Sequence, residues 1–182
     1  LGLGPLPVER REWLGALHQR RLLPGGPVRA LGDVGARVLQ AHYTVLNPGE
    51  SPVAMLRYAA LAGIHYVRPL GRAALNLSCG LKGNGMCFAR DILDDFGWNW
   101  FTLAEDVEFH LALVRQGIRV QFVPETSVRA DMPVDLDQAA SQNERWERGR
   151  LQLLAGPVKA LILQGIRQGS VVQLDAAMEQ LI

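Results

Sequence analysis

Arg37-Val38-Leu39-Gln40-Ala41-His42-Tyr43, followed at once by Asn47-Pro48-Gly49-Glu50-Ser51, decides the fold. The first seven residues read as a strand. The next five read as a turn, and Ser51 or Pro52 opens a helix. That helix is expected over about 52–67, with Val53, Leu56, Ala60 and Ile64 at helical spacing. A strand, a turn and a helix in succession point to α/β architecture.

Working towards the C-terminus, Gly80-Leu81-Lys82-Gly83-Asn84-Gly85 is a glycine-rich loop that leads into Met86-Cys87-Phe88-Ala89-Arg90. Three glycines in six residues predict a close backbone approach. A short helix is expected at 90–96, then Gly97-Trp98-Asn99-Trp100, then a helix over about 104–116 closed by Gly117. Arg119-Val120-Gln121-Phe122-Val123-Pro124 alternates like a strand. Asp135 or Asp137 caps a helix running to about Leu154. From Pro157, the apolar Val158, Leu161, Ile162 and Ile166 mark an amphipathic helix suited to a membrane surface or a partner.

Working towards the N-terminus, Pro5, Pro7, Pro24, Pro27 and six glycines break up residues 1–33. One helix is expected there over about 8–21, with Trp13, Leu14 and Leu17 on one side. The chain therefore divides into an irregular segment 1–33, an α/β unit 34–150 and a helical tail 151–182. The strands are too few for a complete doubly wound domain, so the α/β fold is expected to be partial.

The 182 residues suffice for one domain with a real core, and 48% apolar with 20% charged residues is ordinary for a folded chain. A net charge of +1 gives no electrostatic case for nucleic acid. Lys82 and Lys159 are the only lysines beside 17 arginines. Codon usage in a GC-rich genome accounts for that bias, which also supplies forks for gripping anions. Cys79 and Cys87 make neither a disulfide framework nor a zinc knuckle, and are expected as small buried hydrophobes in a reducing compartment. No run of 18 apolar residues is long enough to span a membrane. Leu1–Pro7 has no signal-peptide pattern, and a start on Leu suggests a piece of a longer protein.

Three groups of residues could carry chemistry. Glu105-Asp106 sits at a helix start, where the macrodipole favours acids. A carboxylate at such a rigid element end can also serve as a general base. Gln142, Arg145 and Trp146, at i, i+3 and i+4, share one helical face. An ordinary amphipathic helix would look the same. Chemically, however, the set offers an amide for a polar ligand, a guanidinium fork for a diphosphate and an indole plate for a sugar. Arg148 and Arg150 add positive charge nearby, facing solvent or lipid headgroups. Gly83-Asn84-Gly85 is either a tight turn or a point of backbone access to a substrate. His18, His42, His65 and His110 show no metal spacing and are expected to be structural, His110 standing on its helix without a partner. Trp98 and Trp100 read as core or cleft wall.

Taken in order, these segments resemble the family-2 glycosyltransferases of the processive, membrane-embedded kind, of which cellulose and hyaluronan synthases are familiar members. The resemblance runs through Val38–Tyr43, Asn47-Pro48, Gly83-Asn84-Gly85-Met86-Cys87-Phe88, Leu103-Ala104-Glu105-Asp106-Val107-Glu108, Gly117–Val120 and Gln142-Asn143-Glu144-Arg145-Trp146-Glu147-Arg148-Gly149-Arg150. It covers about residues 34–150, and its specificity lies in the ordered set.

The resemblance implies a GT-A fold, of which this chain would be the acceptor-side half, a nucleotide-diphospho-sugar donor, and a glycan or lipid acceptor. Asp106, beside Glu105, would match the base that deprotonates the acceptor hydroxyl. Gln142, Arg145 and Trp146 would hold the donor diphosphate and the acceptor sugar, and Gly83–Phe88 would line the acceptor pocket. The reaction would be a single inverting displacement. A divalent cation, Mg or Mn, is implied too, but its Asp-x-Asp ligands are not found: upstream of Gly35 the acids are Glu9, Glu12 and Asp33. Asp131 lies downstream, and Asp135-Leu136-Asp137 spells the pattern as a helix cap. The expectation is thus the C-terminal half of a catalytic domain, inactive in isolation, from the cytosolic face of a bacterial inner membrane. A catalytically dead scaffold is the alternative within the family, and an unrelated α/β interaction domain the alternative outside it.

Overall fold

A computed structural model describes residues 13–15, 36–97, 104–135, 140, 144, 147–149 and 151–181. Four strands form one sheet: β1 (Trp13–Gly15), β2 (Val38–Val45), β3 (Met86–Ala89) and β4 (Gln121–Ala130), in the order β1-β3-β2-β4. β2 and β4 run parallel; β3 is antiparallel to β2, and β1 to β3. Between β2 and β4 the register jumps from Ala41↔Val123 to His42↔Ser127. Pro124 lies in the gap, and a proline cannot donate to the ladder. The strand expected at 119–124 therefore resumes after the bulge and runs on to Ala130.

Trp13–Gly15 is strand, not the helix expected over 8–21. Leu14 pairs with Phe88, so a long-range ladder on the open edge of β3 overrides local periodicity.

The first helix, α1 (Pro52–Ala62), starts where its cap predicts: Ser51 Oγ accepts from the Ala54 amide at 3.1 Å, and Pro52 occupies the first turn. It does not stop at 67. A π turn (Gly63–Val67) passes it into α2 (Arg68–Ala74), with the Arg68 amide reaching Gly63 O. Pro69 has no N–H and would crowd the carbonyl of His65 in a regular helix; the wider turn absorbs it. The inward face also differs from the expected one. Ala54, Leu61, Pro69 and Arg72 are buried, whereas Leu56 is 72% exposed and Ile64 is exposed as well. This stretch is apolar nearly all round, so spacing alone does not single out the buried stripe.

Next come α3 (Arg90–Phe96) and α4 (Glu105–Arg115). α4 ends in a Schellman motif: Gly117 adopts φ +75°, its amide bonds Val114 O at 3.0 Å, and the Ile118 amide bonds Leu113 O at 3.0 Å. The described residues from 140 to 153 are helical and run into a second π turn (Leu154–Val158) containing Pro157. Asp135 lies in a bend, and Asp137 falls outside the described residues. α5 (Lys159–Gln168), α6 (Val171–Met178) and a 3₁₀ turn (Glu179–Leu181) complete the order.

α4 is buried on two sides. Phe109 and Leu113 pack with Val38 and Phe88 of the sheet, Ile92 of α3 and Val120 just before β4. Leu111 and Val114 pack with Leu153, Val158, Leu161, Ala176 and Ala177. Each fully buried large side chain contributes about 2 kcal/mol. The helix that carries Glu105 and Asp106 is thereby held rigidly from both faces. Leu161 of the tail turns into this core, while Leu163 and Ile166 are exposed.

Candidate active site

The site is built where the N-terminus of α4 meets the loop before β3. Glu105, Asp106 and Glu108 occupy the first turn of α4, the end at which helix dipoles stabilise negative charge. Ala104, the capping residue, has no side chain to offer, and Asp106 Oδ1 accepts from the Val107 amide at 2.8 Å. Burial pushes the Asp106 carboxyl up to about 6, with Glu105 adding to the rise; the Val107 amide and Lys82 oppose it.

Opposite lies the glycine-rich loop. Gly83 and Gly85 adopt φ of +74° and +70°, which L side chains resist. A Cβ on Gly83 would stand 3.5 Å from Asp106 Oδ2. A Cβ on Gly85 would meet Val128 Cγ2 at 3.0 Å and Ala41 Cβ at 3.1 Å, so this glycine lets the loop lie flat on the sheet. The close backbone approach expected here is made to the protein's own Asp106 and strands.

Gln40 holds the loop in place. Its side chain, 1% exposed, donates to Asn84 O at 2.7 Å and Ala41 O at 2.8 Å, and accepts from the Lys82 amide at 2.9 Å. The Ala41 amide bonds Gly85 O at 2.9 Å, and the Asn84 side chain bonds Tyr43. Sequence reasoning passed over Gln40. Its one signal was an amide inside an otherwise apolar strand, a costly choice unless it is fully bonded.

Lys82 was also missed. Its ammonium reaches Glu179 Oε1 at 3.2 Å, 97 residues away. Glu179 is buried and also binds Arg72, with Arg68 at 3.7 Å; Arg72 Nε pairs with Asp175 at 3.1 Å. Burial alone would raise Glu179, but Lys82 and Arg72 outweigh it and hold the carboxyl at about 2. Behind this group, His110 does have a partner: Ser78 Oγ lies 2.8 Å from His110 Nε2 and accepts from the Val120 amide at 3.0 Å. Burial holds His110 at about 4, a neutral core histidine. Cys79 is buried and held as a thiol by that burial, at about 11; Cys87 is half-buried.

The fold therefore brings Glu105, Asp106, Gly83, Asn84 and Gly85 to one place. Gln142, Arg145 and Trp146, like Trp98 and Trp100, lie outside the described residues. Near them, Arg148 pairs on the surface with Glu144 at 2.6 Å. Among the described residues no group of three or more His, Cys, Asp and Glu could hold a metal ion. Glu105 and Asp106 alone do not meet the six-oxygen demand of Mg²⁺, and Asp106 Oδ1 is already engaged. These two residues do not fit the divalent cation that the resemblance implies.

A rigid helix start thus sets a buried, raised carboxyl against a glycine loop on a mixed α/β sheet. The model of glycosyl transferase family group 2 matches residues 28–175, and the chain belongs to that family. It is a nucleotide-sugar glycosyltransferase domain with a partial GT-A fold, taking a nucleotide-sugar donor and a glycan acceptor. No curated protein matches the chain.

Proposed function

We propose that this chain supplies the base and the acceptor side of an inverting glycosyl transfer. The observation that carries the reading is the Asp106 carboxyl, raised to about 6 and set against Gly83 at the start of α4. A base poised near neutrality is ionised at working pH yet still basic enough to draw a proton from a hydroxyl in the transition state. Asp106 takes the acceptor hydroxyl's proton as that oxygen bonds the anomeric carbon. The bond from this carbon to the diphosphate breaks on the opposite face, and the nucleoside diphosphate leaves with the electron pair. Glu105 keeps the local charge negative and Asp106 basic. Gln142, Arg145 and Trp146 hold the donor diphosphate and the acceptor sugar, a role that rests on the resemblance of their motif. The Gly83-Asn84-Gly85 backbone lines the acceptor pocket.

The same resemblance supports a processive enzyme that builds a glycan, or glycosylates a lipid, at the cytosolic face of a bacterial inner membrane. The exposed apolar residues Met55 and Leu56 of α1, Val67 of the π turn and Leu75 at the end of α2 suit those surroundings. No helix among the described residues is long and apolar enough to cross a membrane. The test is sugar transfer by the intact protein and by Asp106→Asn. Retention of wild-type turnover by the variant would overturn the reading.

A further inference from the structure

Lys82 stands next to Gly83, the residue that faces Asp106, yet its ammonium is turned to Glu179. Gly80, two residues earlier, makes this possible. A Cβ on Gly80, at φ +78°, would come within 3.3 Å of both Glu179 Oε2 and Lys82 Nζ, so the ion pair fills the space a side chain would take. Glu179 is well fixed for the task. It ends α6, which packs on α4, and it is gripped by Arg72 of α2. Gln40 holds the Lys82 amide from the other side. Lys82 is thus pinned at both its backbone and its ammonium, with the base on the loop's far flank. Among the described residues the charged groups acting on Asp106 are Glu105, on its own helix, and Lys82, on the loop packed against it.

We propose that Glu179 is a positioning residue: by engaging the Lys82 ammonium it keeps that cation off the Asp106 carboxylate and seats Gly83 against it, leaving the carboxylate open to an acceptor hydroxyl. This rests on the reading of Asp106 as the base. A lysine released from Glu179 is free to turn to Asp106, whose carboxylate faces the next residue of the loop, Gly83. An ion pair there would depress the basicity of Asp106 and block the approach of a hydroxyl.

The test is a carboxyl-carbon NMR titration of Asp106 in the 182-residue chain, in a double-mutant cycle. Glu179→Gln is expected to lower the Asp106 pKa by about 1 unit as Lys82 turns to it. Loss of the Glu179 charge could lower Asp106 directly, so the decisive arm is the Lys82→Met background. There, Glu179→Gln is expected to leave Asp106 unmoved. A drop of equal size in both backgrounds would overturn the proposal, as would no drop in either. If Glu179→Gln does not fold, Glu179→Asp retracts the carboxylate while keeping its charge, and the same two criteria apply. Transfer by Asp106→Asn in the intact protein separates the two ideas. Undiminished transfer removes the base, while the titration still decides whether Glu179 governs Lys82.

Discussion

Gly83 and Asp106 face each other across the site, a Cβ on the glycine falling 3.5 Å from the carboxylate Oδ2. The glycine also sits at φ +74°. Gly83→Ala should therefore cost about 1–2 kcal/mol in backbone strain and narrow the approach to the base. Thermal unfolding would read the first effect. The second should appear as a raised acceptor KM at unchanged donor KM.

Asp106→Asn should lower kcat by about 10²–10⁴-fold, the range a positioned base supplies. Wild-type turnover should rise with pH through about 6 and then level off, because the base must be ionised. The variant should lose that limb of the pH profile.

The same substitution should stabilise the fold. The Asp106 pKa is raised from 3.8 to about 6, so the folded state holds a proton that the unfolded chain has released. Stability from this group falls as pH rises from 3.8 through 6, by up to about 3 kcal/mol. An amide carries no such penalty. Asp106→Asn should thus exceed wild type in denaturant midpoint at pH 7 and match it near pH 3.

Glu179 works in the opposite direction. Its pKa is lowered from 4.5 to about 2, so its contribution is complete above 4.5 and is lost as pH falls through 2. Glu179→Gln leaves Arg72 and Lys82 without their shared anion and should cost about 3–5 kcal/mol at pH 7. The difference from wild type should shrink in acid unfolding curves below pH 4. An equal difference at all pH values would show that the charge is not what matters.

Gln40→Leu should release the loop. Three hydrogen bonds disappear, leaving the Lys82 amide and two carbonyls unpaired, at a cost of about 1–3 kcal/mol for each group that stays buried. Hydrogen exchange at the Lys82 amide should accelerate while that of α4 stays protected.

Arg145→Ala should abolish calorimetric binding of a nucleoside diphosphate, since a guanidinium fork grips a diphosphate bidentately. Binding unchanged by the substitution would separate Arg145 from the donor.

Where a signal is local, the sequence was enough. Ser51-Pro52 opens α1 because a hydroxyl and an imino ring suit a helix start, and Gly117 closes α4 because only glycine takes its left-handed backbone cheaply. The ordered motifs named the family, and Glu105-Asp106 and the Gly83–Gly85 loop stood out as candidates by residue type and spacing. Contacts between distant residues needed the fold. Trp13–Gly15 became strand because β3 offered an edge, and the apolar surround of 52–74 was sorted into buried and exposed faces only by what packed against it. Gln40 clamps a loop 44 residues away, and Glu179 binds a lysine 97 residues away. Hydrogen bonds and ion pairs depend on distance in space, which a chain's order does not encode pair by pair. Asp106 thus stood out as a candidate from its place at a helix start, while its raised pKa and the Lys82–Glu179 pair near it came from the fold.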